Sequence, residues 1–417
     1  MPTDSYENRG EDHSRGPLDG VRVLDLTRVL AGPFSTQVLA DLGAEVLKVE
    51  RPGKGDESRY SGPKVGGEST HFMTANRNKR SIVLDLKNED GLRVARELAA
   101  RCDVLVENFR PGVLRRLRLS YDQLEADMPG LIVCSISGFG GTGPLRDRPS
   151  FDVVTQAMTG AMAVTGEVDG PPVRLGAPMG DIAGGMFGAI AVLAALHRRS
   201  VTGVGGPIDI SLYDSMMSVM HYYYTDYLLT EKEPPKAGSG NPSIYPYGGF
   251  RANDGFIVVA AFQTSFWRRL CNALGVAELA RDERFATNDL RVEHKGELSA
   301  ILANAFRTKS RAEWCEILDR EDIPNAPILS VGEVASHPHA LARQMIEEVE
   351  HPKAGRLQIT GRPIKYPGHR RPPLRPAPTL GEHTVEILTS LLGYDRDDIS
   401  KLVASGATSL DERGTEM

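Results

Sequence analysis

The chain predicts an α/β protein whose larger part is a doubly wound parallel sheet, and three observations point to that fold. Short apolar runs alternate with helical stretches through the first half of the 417-residue chain. These runs are apolar throughout, which is typical of parallel strands that helices cover on both faces. After residue 231 the composition changes, and this change predicts a second, smaller α+β domain.

The elements of the large domain follow in a regular order. A strand over 21–27, a helix over 34–43 and a strand over 44–50 make the first strand–helix–strand unit. Further strands are predicted over 80–86, 103–108, 131–137 and 207–212, with helices over 88–100, near 120–126 and from Asp181 to Arg199 between them. A helix over 216–224 follows, and its Met and Tyr residues favour a place in the core or in a dimer contact.

Composition divides the rest of the chain into segments of different character. The predicted segments are a disordered leader (1–17), the first part of the large domain (18–230), a linker (231–247), a small α+β domain (248–325) and a return to the large domain (326–417). A hairpin is expected about Asn253–Gly255 in the small domain. The returning segment contains a strap over 362–378 with six prolines, which predicts extended chain lying across a surface.

Bulk composition excludes several classes of partner. The net charge of −6 is spread without a long block of one sign, so nucleic acid is not a favoured partner. The four cysteines lie far apart and no Cys/His cluster has zinc spacing, which predicts no structural metal and a reducing compartment. The first twenty residues lack the apolar core of a signal peptide, and no run reaches membrane-spanning length. We therefore expect a cytoplasmic protein with no membrane partner.

The stretch around Asp181 is the strongest candidate for chemistry. This aspartate lies between glycines at the start of a long apolar helix, where backbone N–H groups and the helix dipole favour an anion. We expect its carboxylate to stay ionised and to be nucleophilic. Gly184, Gly185 and Gly188 each cost about 1 kcal/mol relative to alanine, which predicts that a ligand or another backbone approaches closely. The alternative is plain N-capping, for which aspartate is a favoured residue.

A second set of candidates is polar or cationic and lies at the ends of predicted strands. The set comprises Arg51, Lys87, Asn108, Arg110 and Arg116. Open α/β sheets bind ligands at the carboxyl edge of their strands, so these residues predict a nucleotide phosphate, with Phe109 available for stacking. The alternative is a solvated surface. The loop over 30–33 holds one glycine where the dinucleotide fingerprint needs three, so NAD binding there is excluded.

Six stretches of sequence, taken together in their order, resemble one known family. They read GVRVLDLTRVLAGP, ADLGAEVLKVERPGKGD, NRNKRSIVLDLK, ENFRPGVL, SISGFGGTGP and LGAPMGDIAGGM. Over roughly residues 18–405 the chain resembles the family III coenzyme A transferases, which include formyl-CoA transferase, carnitine CoA transferase and the α-methylacyl-CoA racemases. The resemblance implies a Rossmann-like large domain built from both ends of the chain, a small domain in between, and an interlocked homodimer.

The resemblance implies covalent catalysis by Asp181. In similar transferases the aspartate at this position attacks the thioester carbonyl of an acyl-CoA, forming a mixed anhydride. It then carries CoA as an aspartyl thioester until the acceptor carboxylate enters by the reverse steps. No metal and no tightly bound cofactor are implied, because coenzyme A and acyl-CoA are substrates. A short acyl-CoA such as succinyl-CoA is the expected donor, and a carboxylic acid is the acceptor.

The same resemblance assigns binding residues. The CoA adenine and phosphates are expected to contact Arg51, Leu84, Lys87, Asn108, Phe109 and Arg116. We add Arg110 because it follows Phe109 in the same motif. Leu30, Phe151 and Asp152 fall where similar proteins line the acyl pocket.

Two departures from the pattern narrow the function. The racemase branch carries a histidine as second acid/base at the position of Phe151, next to an aspartate that matches Asp152. Its absence favours transfer over racemisation, because proton exchange on two faces of a carbon needs two bases. Formyl-CoA transferase has a glutamine at the position of Leu30 and a glycine-rich lid at the position of 238–243, so formyl or oxalyl specificity is not expected. An acyl-CoA racemase or epimerase and a non-catalytic CoA-binding module remain as alternatives.

Overall fold

A computed structural model describes residues 16–367 and 373–410. The chain divides into two compact units. The first takes the residues up to Met158, Ala177–Val219 and those from Leu341 onward, and the second takes Thr159–Gly176 and Met220–Ala340. These divisions differ from the segments expected from composition, because the second unit begins before residue 231. Most of the expected leader, the middle of the proline strap and the last seven residues lie outside the described residues.

Strands and helices alternate through the first unit, as the sequence predicts. The strands are β1 (Arg22–Asp25), β2 (Glu45–Glu50), β3 (Lys64–Val65), β4 (Glu68–Ser69), β5 (Lys79–Val83), β6 (Val104–Glu107), β7 (Ile132–Ser137), β8 (Gly206–Ser211), β9 (Tyr247–Arg251), β10 (Phe256–Ala260), β11 (Asn325–Pro327), β12 (Ile346–His351) and β13 (Gly355–Thr360). The helices are α1 (Ala31–Asp41), α2 (Thr70–Asn76), α3 (Glu89–Ala99), α4 (Val113–Arg116), α5 (Tyr121–Leu124), α6 (Asp152–Met158), α7 (Ala161–Val164), α8 (Met179–Thr202), α9 (Leu212–Val219), α10 (His221–Thr230), α11 (Thr264–Ala273), α12 (Asn288–Glu293), α13 (Lys295–Phe306), α14 (Arg311–Arg320), α15 (Val331–Ala335), α16 (Pro338–Ala342), α17 (Thr384–Leu392) and α18 (Arg396–Ala404). Short 3-10 helices lie at Glu57–Tyr60, Ala277–Ala280 and Glu283–Phe285.

The first unit is built on a six-stranded parallel sheet in the order β5–β2–β1–β6–β7–β8. This is the strand order of the Rossmann fold, in which the direction of winding reverses between two central strands. Here the reversal falls between β1 and β6. Ligands of such sheets bind outside the carboxyl ends of the strands at the reversal. The prediction of a parallel sheet is confirmed, and its order marks one crevice as a ligand site.

Helices cover both faces of this sheet, which explains why its strands are apolar throughout. Leu24 and Leu47 pack on one face with residues of α3, α17 and α18. Val23 and Val46 pack on the other face with residues of α1 and α8. Successive side chains of a strand point to opposite faces, so each strand supplies both cores. Because α17 and α18 come from the end of the chain, both chain ends build the large unit.

The second unit holds a three-stranded antiparallel sheet in the order β11–β10–β9. The hairpin predicted about Asn253–Gly255 is formed by β9 and β10. Its core is aromatic: the Phe250 ring stacks on Phe306 at 4.6 Å between centroids, and Phe306 meets Trp314 edge-on at 5.3 Å. A smaller antiparallel unit with helices is therefore present, as predicted.

Two expectations about helices are corrected. The helix expected over 216–224 is two helices, α9 and α10. Met216 and Met220 are buried, whereas α10 itself has no buried residue, so its part of the stretch lies outside the core and the dimer contact stays a prediction. Among the described residues one helix, α8, is also long and apolar enough to cross a membrane, although no run of that length was expected. Its buried residues Ala189 and Val192 belong to the core beneath the sheet, as in the central helix of an α/β protein.

Candidate active site

Asp181 lies in the first turn of α8, at the third residue of the helix. The N-cap position is Pro178, which makes no capping hydrogen bond through its side chain. The alternative that Asp181 is simply the N-cap is therefore wrong. Because α8 runs antiparallel to the strands beside it, its N-terminus lies at the carboxyl edge of the sheet.

Asp152 caps α8 from another helix. Its Oδ1 atom accepts hydrogen bonds from the backbone N–H of Gly180 at 2.8 Å and of Asp181 at 3.4 Å. Its Oδ2 atom accepts a hydrogen bond from Nε2 of Gln156 at 2.7 Å, one turn further along α6. A Cβ atom at Gly180 would lie 3.1 Å from Asp152 Oδ1, so glycine leaves room for this carboxylate. The cap thus comes from a residue that sequence reasoning placed only in the acyl pocket.

The carboxyl of Asp181 has an unusual proton affinity. Burial, and secondly the negative charge of Asp152, raise the pKa of Asp181 to about 7. The expectation that this carboxylate stays ionised therefore holds only above about pH 7. A half-buried carboxyl with such a pKa is a weaker leaving group and a better nucleophile than an ordinary aspartate, which suits covalent catalysis.

The glycines of α8 allow close packing with neighbouring protein. A Cβ atom at Gly185 would lie 2.6 Å from the carbonyl oxygen of Ala31, at the start of α1. One at Gly188 would lie 2.9 Å from Ser35 Oγ and from Ile136 Cδ1, and one at Gly184 would collide with Leu212. The close approach that these glycines predict is therefore made by the protein itself. It sets α1, and Leu30 just before it, against the helix of Asp181.

The two other residues expected in the acyl pocket, Leu30 and Phe151, each directly precede a helix. Leu30 is the N-cap of α1 and lies next to the residue that Gly185 contacts. Phe151 immediately precedes α6, and 69% of its surface is exposed. The structure places Asp152 directly beside Asp181, and Leu30 on the helix that packs on α8.

A cavity of about 280 Å³ lies at the crevice that the strand order marks. It is lined by Leu26 and Arg28 after β1, Val49 and Glu50 at the end of β2, Arg51, Gly55 and Asp56 after β2, Leu84 to Lys87 after β5, and Phe109, Val113 and Leu117 after β6. Its lining is largely apolar, with three cations (Arg28, Arg51 and Lys87) and three acidic residues (Glu50, Asp56 and Asp85), of which Glu50 and Asp56 are already engaged in buried ion pairs. Such a lining suits an aromatic base in the interior and phosphate at the rim.

Four of the residues expected to bind CoA meet at this cavity, namely Arg51, Leu84, Lys87 and Phe109. Asn108 does not line it but binds the backbone of Arg28, which does. Arg110 and Arg116 follow Phe109 closely in the chain. Both side chains are exposed, and neither lines the cavity. The sequence prediction did not include Arg28. Its position shortly after β1, at the same edge of the sheet, is the signal that could have identified it.

Phe109 is held by a buried acid. The backbone N–H of Phe109 donates to Oε2 of Glu107 at 2.6 Å, at the end of β6. Burial raises the pKa of Glu107 to about 7. Glu107 therefore orients the loop that brings the aromatic ring to the cavity.

Buried ion pairs support the segment that carries Arg51. Nζ of Lys48 lies 2.9 Å from Oδ2 of Asp56, and both side chains are buried. Both oxygens of Glu50 accept hydrogen bonds from Arg59, each at 2.7 Å. Burial alone would raise the pKa of Asp56, yet the Lys48 ammonium lowers it overall. Because buried charges need fixed partners, this loop has a defined path on both sides of Arg51.

Comparison with known proteins reveals the family. CoA-transferase family III matches residues 18–384 of the chain. The chain is 42% identical over 394 residues to succinyl-CoA:glutarate CoA-transferase of Mus musculus, covering 94% of this chain and 90% of that protein. It is 40% identical over 370 residues to acetyl-CoA:oxalate CoA-transferase of Acetobacter aceti, covering 88% of this chain and 94% of that protein.

Solved structures similar to this chain indicate the same family. A CAIB/BAIF family protein from Brucella suis matches with a TM-score of 0.82 and 37% identity, over 90% of this chain and 100% of that chain. A protein from Mycobacterium tuberculosis matches with a TM-score of 0.79 and 33% identity, over 89% of this chain and 99% of that chain. The resemblance seen in the sequence is confirmed. The chain belongs to CoA-transferase family III and is a CoA transferase.

Proposed function

We propose that this enzyme moves CoA between carboxylic acids through covalent intermediates on Asp181. The observation that carries the proposal is the pairing of Asp181 with Asp152 at the first turn of α8, where the pKa of Asp181 is raised to about 7. A carboxylate that is desolvated and faces a second carboxylate is poised to form a neutral acyl derivative, since acylation removes its charge.

The proposed steps balance without any further reactant. A carboxylate oxygen of Asp181 attacks the thioester carbonyl carbon, the C–S bond breaks, and a mixed anhydride and CoA thiolate result. The thiolate attacks the aspartyl carbonyl of the anhydride, releasing the donor acid and leaving an Asp181–CoA thioester. The acceptor carboxylate then attacks this thioester, and the two steps run in reverse to give the new acyl-CoA.

The geometry limits which backbone groups stabilise the oxyanions of these steps. The N–H groups of Gly180 and Asp181 donate to Asp152, and that of Ile182 donates to the carbonyl of Pro178 at 3.0 Å. The expected oxyanion donors beside Asp181 are therefore already engaged. We infer that the positive end of the α8 dipole supplies the local stabilisation from this helix.

For the substrates, we propose a short acyl-CoA donor such as succinyl-CoA and a carboxylic acid acceptor. Support comes from the relative named for succinyl-CoA and glutarate. The cavity at β1 and β6 is proposed to hold the nucleotide end of CoA, with Arg51, Leu84, Lys87 and Phe109 as contacts. Asn108 and Arg110 are proposed to act from the loop that follows β6, and Arg116 from the end of α4.

We also propose that the chain forms an interlocked homodimer in the cytoplasm, without a tightly bound cofactor. Exposed apolar side chains support a partner surface: Leu228 and Leu229 of α10 are 74% and 79% exposed, and Ile190 of α8 is 57% exposed. The four cysteines are free thiols, in agreement with a reducing compartment. Light scattering during size-exclusion chromatography should give a mass near 91 kDa, about twice the 45.4 kDa of one chain.

The nucleophile can be trapped directly. The enzyme is incubated with succinyl-CoA, quenched with hydroxylamine or borohydride, and digested for mass spectrometry. A hydroxamate or a reduced residue at Asp181 supports the proposal. Asp181→Ala should abolish adduct and CoA exchange, whereas Asp214→Ala should keep both, because Asp214 is an exposed aspartate in the first turn of the neighbouring α9. Full exchange by Asp181→Ala would exclude the proposed nucleophile.

The same preparation separates transfer from racemisation. A 2-methylacyl-CoA is incubated in deuterium oxide without any acceptor acid, and deuterium at the α-carbon is measured. Phe151 offers no base at the position where a racemase carries histidine, so no uptake is expected. Rapid uptake would instead identify an acyl-CoA racemase or epimerase. Binding of CoA without exchange or uptake would identify a binding module.

A further inference from the structure

One carboxylate oxygen of Glu57 forms ion pairs with both Arg28 and Arg51 at the cavity that is proposed to hold the nucleotide end of CoA. Oε1 of Glu57 lies 2.9 Å from Nη2 of Arg51 and 3.0 Å from Nη1 of Arg28. Both arginines line the cavity. All three side chains are partly open to solvent, with exposed fractions of 48% for Arg51, 34% for Arg28 and 46% for Glu57. An anion therefore already lies between two guanidinium groups where a ligand can reach it.

The loop that carries Arg28 is held tightly from two sides. Asn108 accepts a hydrogen bond from the backbone N–H of Arg28 at 2.8 Å and donates to its carbonyl at 2.7 Å. The next residue, Val29, has φ of 69°, a left-handed conformation that β-branched residues rarely adopt. Its N–H donates to Oδ1 of Asp56 at 3.0 Å. Such a strained backbone conformation persists where several surrounding contacts hold it, and it is typical of loops that grip a ligand.

The side chain of Arg28 also faces an aromatic ring that belongs to the cavity. Its guanidinium carbon lies 5.0 Å from the centroid of the Phe109 ring. Guanidinium groups stack on aromatic faces and present a planar fork of donors that matches phosphate. Arg28 is thus oriented at the point where the apolar interior of the cavity meets its charged rim.

The backbone of Glu57 is also held in place. It directly follows Asp56, which is buried and paired with Lys48 at 2.9 Å, and it begins the 3-10 helix Glu57–Tyr60. The position of its backbone is therefore determined by the buried network, while its carboxylate reaches the rim. One carboxylate serves two arginines through a single oxygen, whereas a phosphate offers several oxygens and a larger charge.

We propose that Arg28 and Arg51 together bind a phosphate group of CoA, and that Glu57 occupies this place until the phosphate displaces it. This inference rests on the proposed CoA site and adds two residues to it. Glu57 holds the two arginines in place and compensates their charge when the cavity has no ligand. It also lowers affinity, because its ion pairs are broken when CoA binds, and this favours release of a substrate that must exchange in every cycle.

The test measures binding of CoA, 3′-dephospho-CoA and pantetheine by isothermal titration at low and moderate salt. Arg28→Gln should weaken CoA binding by about tenfold and leave pantetheine binding unchanged, because pantetheine has no nucleotide phosphate. Glu57→Gln should tighten CoA binding by roughly three- to fivefold at low salt. It should also steepen the salt dependence, because two unpaired guanidinium groups then face the phosphate. Loss of the Arg28→Gln effect with 3′-dephospho-CoA would assign the 3′-phosphate, and its persistence would assign the pyrophosphate.

Matched controls come from an exposed pair in the second unit. Arg320 and Glu316 lie 3.1 Å apart on α14 with exposed fractions of 69% and 72%. Arg320→Gln and Glu316→Gln change the net charge equally and should leave CoA binding as in the wild type. Circular dichroism and melting temperature check that all variants fold.

Each outcome decides the inference. Weaker CoA binding by Glu57→Gln would show that Glu57 positions the arginines, and it would overturn the displacement. Arg28→Gln with wild-type affinity would remove Arg28 from the site. If the wild type transfers CoA while both variants behave like the controls, the inference fails and the proposed function stands. If the wild type binds no CoA at all, both fail together.

Discussion

Oδ1 of Asp152 lies 3.4 Å from the backbone nitrogen of Asp181 and accepts its hydrogen bond. The same carboxylate therefore stabilises the start of α8 and raises the pKa of the side chain beside it. These two effects can be separated, because asparagine keeps a side-chain oxygen for the cap but carries no charge. The relationship supplies the first prediction.

Asp152→Asn should move the acid limb of the pH–rate profile to lower pH. A carboxylate nucleophile must be ionised, and the pKa of Asp181 is about 7, so wild-type kcat/KM should fall below that pH. Removing the charge of Asp152 lowers the pKa of Asp181, although burial, the larger cause, remains. Initial rates from about pH 5 to about pH 9 measure the limb, with Asp214→Asn as the unaffected control. A limb that stays or moves upward would exclude this coupling.

Asp181→Asn should stabilise the folded enzyme, more at about pH 8 than at about pH 5. The pKa of Asp181 is raised from 3.8 to about 7, so the folded state disfavours the ionised form. This penalty is absent below about pH 4, grows as the pH rises and is complete above about pH 7. It amounts to at most about 4 kcal/mol in the free energy of unfolding. Melting temperatures of both proteins at the two pH values measure it, and an equal or opposite shift at both would contradict it.

Gly185→Ala should destabilise the first unit by about 1–3 kcal/mol and reduce CoA transfer. The new Cβ would lie 2.6 Å from the carbonyl oxygen of Ala31, a backbone atom that moves only if α1 moves. Because Leu30 precedes α1 directly, such a shift also displaces the expected acyl pocket. Gly296→Ala is the control, since nothing lies within 4 Å of its Cβ. Urea unfolding and transfer rates should separate the two variants, and an equally stable, fully active Gly185→Ala would refute the packing argument.

Lys79→Met should destabilise the protein by about 3–5 kcal/mol, because it removes the ion-pair partner of a fully buried carboxylate and leaves that charge only the hydrogen bonds from Thr27 and Thr36 and the nearby Lys48. Nζ of Lys79 lies 3.0 Å from Oδ2 of Asp25, and both side chains are fully buried. Lys401→Met is the control, because Lys401 is 77% exposed and pairs with Asp398 at 3.6 Å on the surface. Unfolding in urea is the measurement. A change no larger than that of the control would show that water or other groups compensate Asp25.

Periodic patterns predicted the long elements closely. The strand expected over 131–137 is Ile132–Ser137, and the helix expected over 88–100 is Glu89–Ala99. Apolar runs and amphipathic periods of this length identify an element without reference to the rest of the chain. Short helices such as α2 and α6 were not predicted, because two turns show too little of a period. The start of α6 is the most consequential of these for the site, because it places Asp152 at the N-terminus of α8.

The cavity proposed to hold the nucleotide end of CoA was predicted in part. Arg51, Leu84, Lys87 and Phe109 meet at one cavity because each follows a parallel strand, and the carboxyl ends of such strands share an edge. Arg28 obeys the same rule, but the sequence around it has the pattern of a loop and does not single it out. Its position depends on Asn108 and Glu57, which lie far from it in the chain, and no local pattern connects them.

The sequence by itself determined the parallel sheet, the family and Asp181 as the candidate nucleophile, because these follow from local periodicity and from ordered motifs. Only the tertiary structure decided that Asp181 is not the N-cap, that Asp152 of α6 accepts the capping hydrogen bonds, and that the pKa of Asp181 is raised to about 7. It also decided that the glycines of α8 pack against protein. The reason is physical: burial and charge at one carboxyl depend on atoms that folding brings from distant segments, and no local sequence pattern contains that distance.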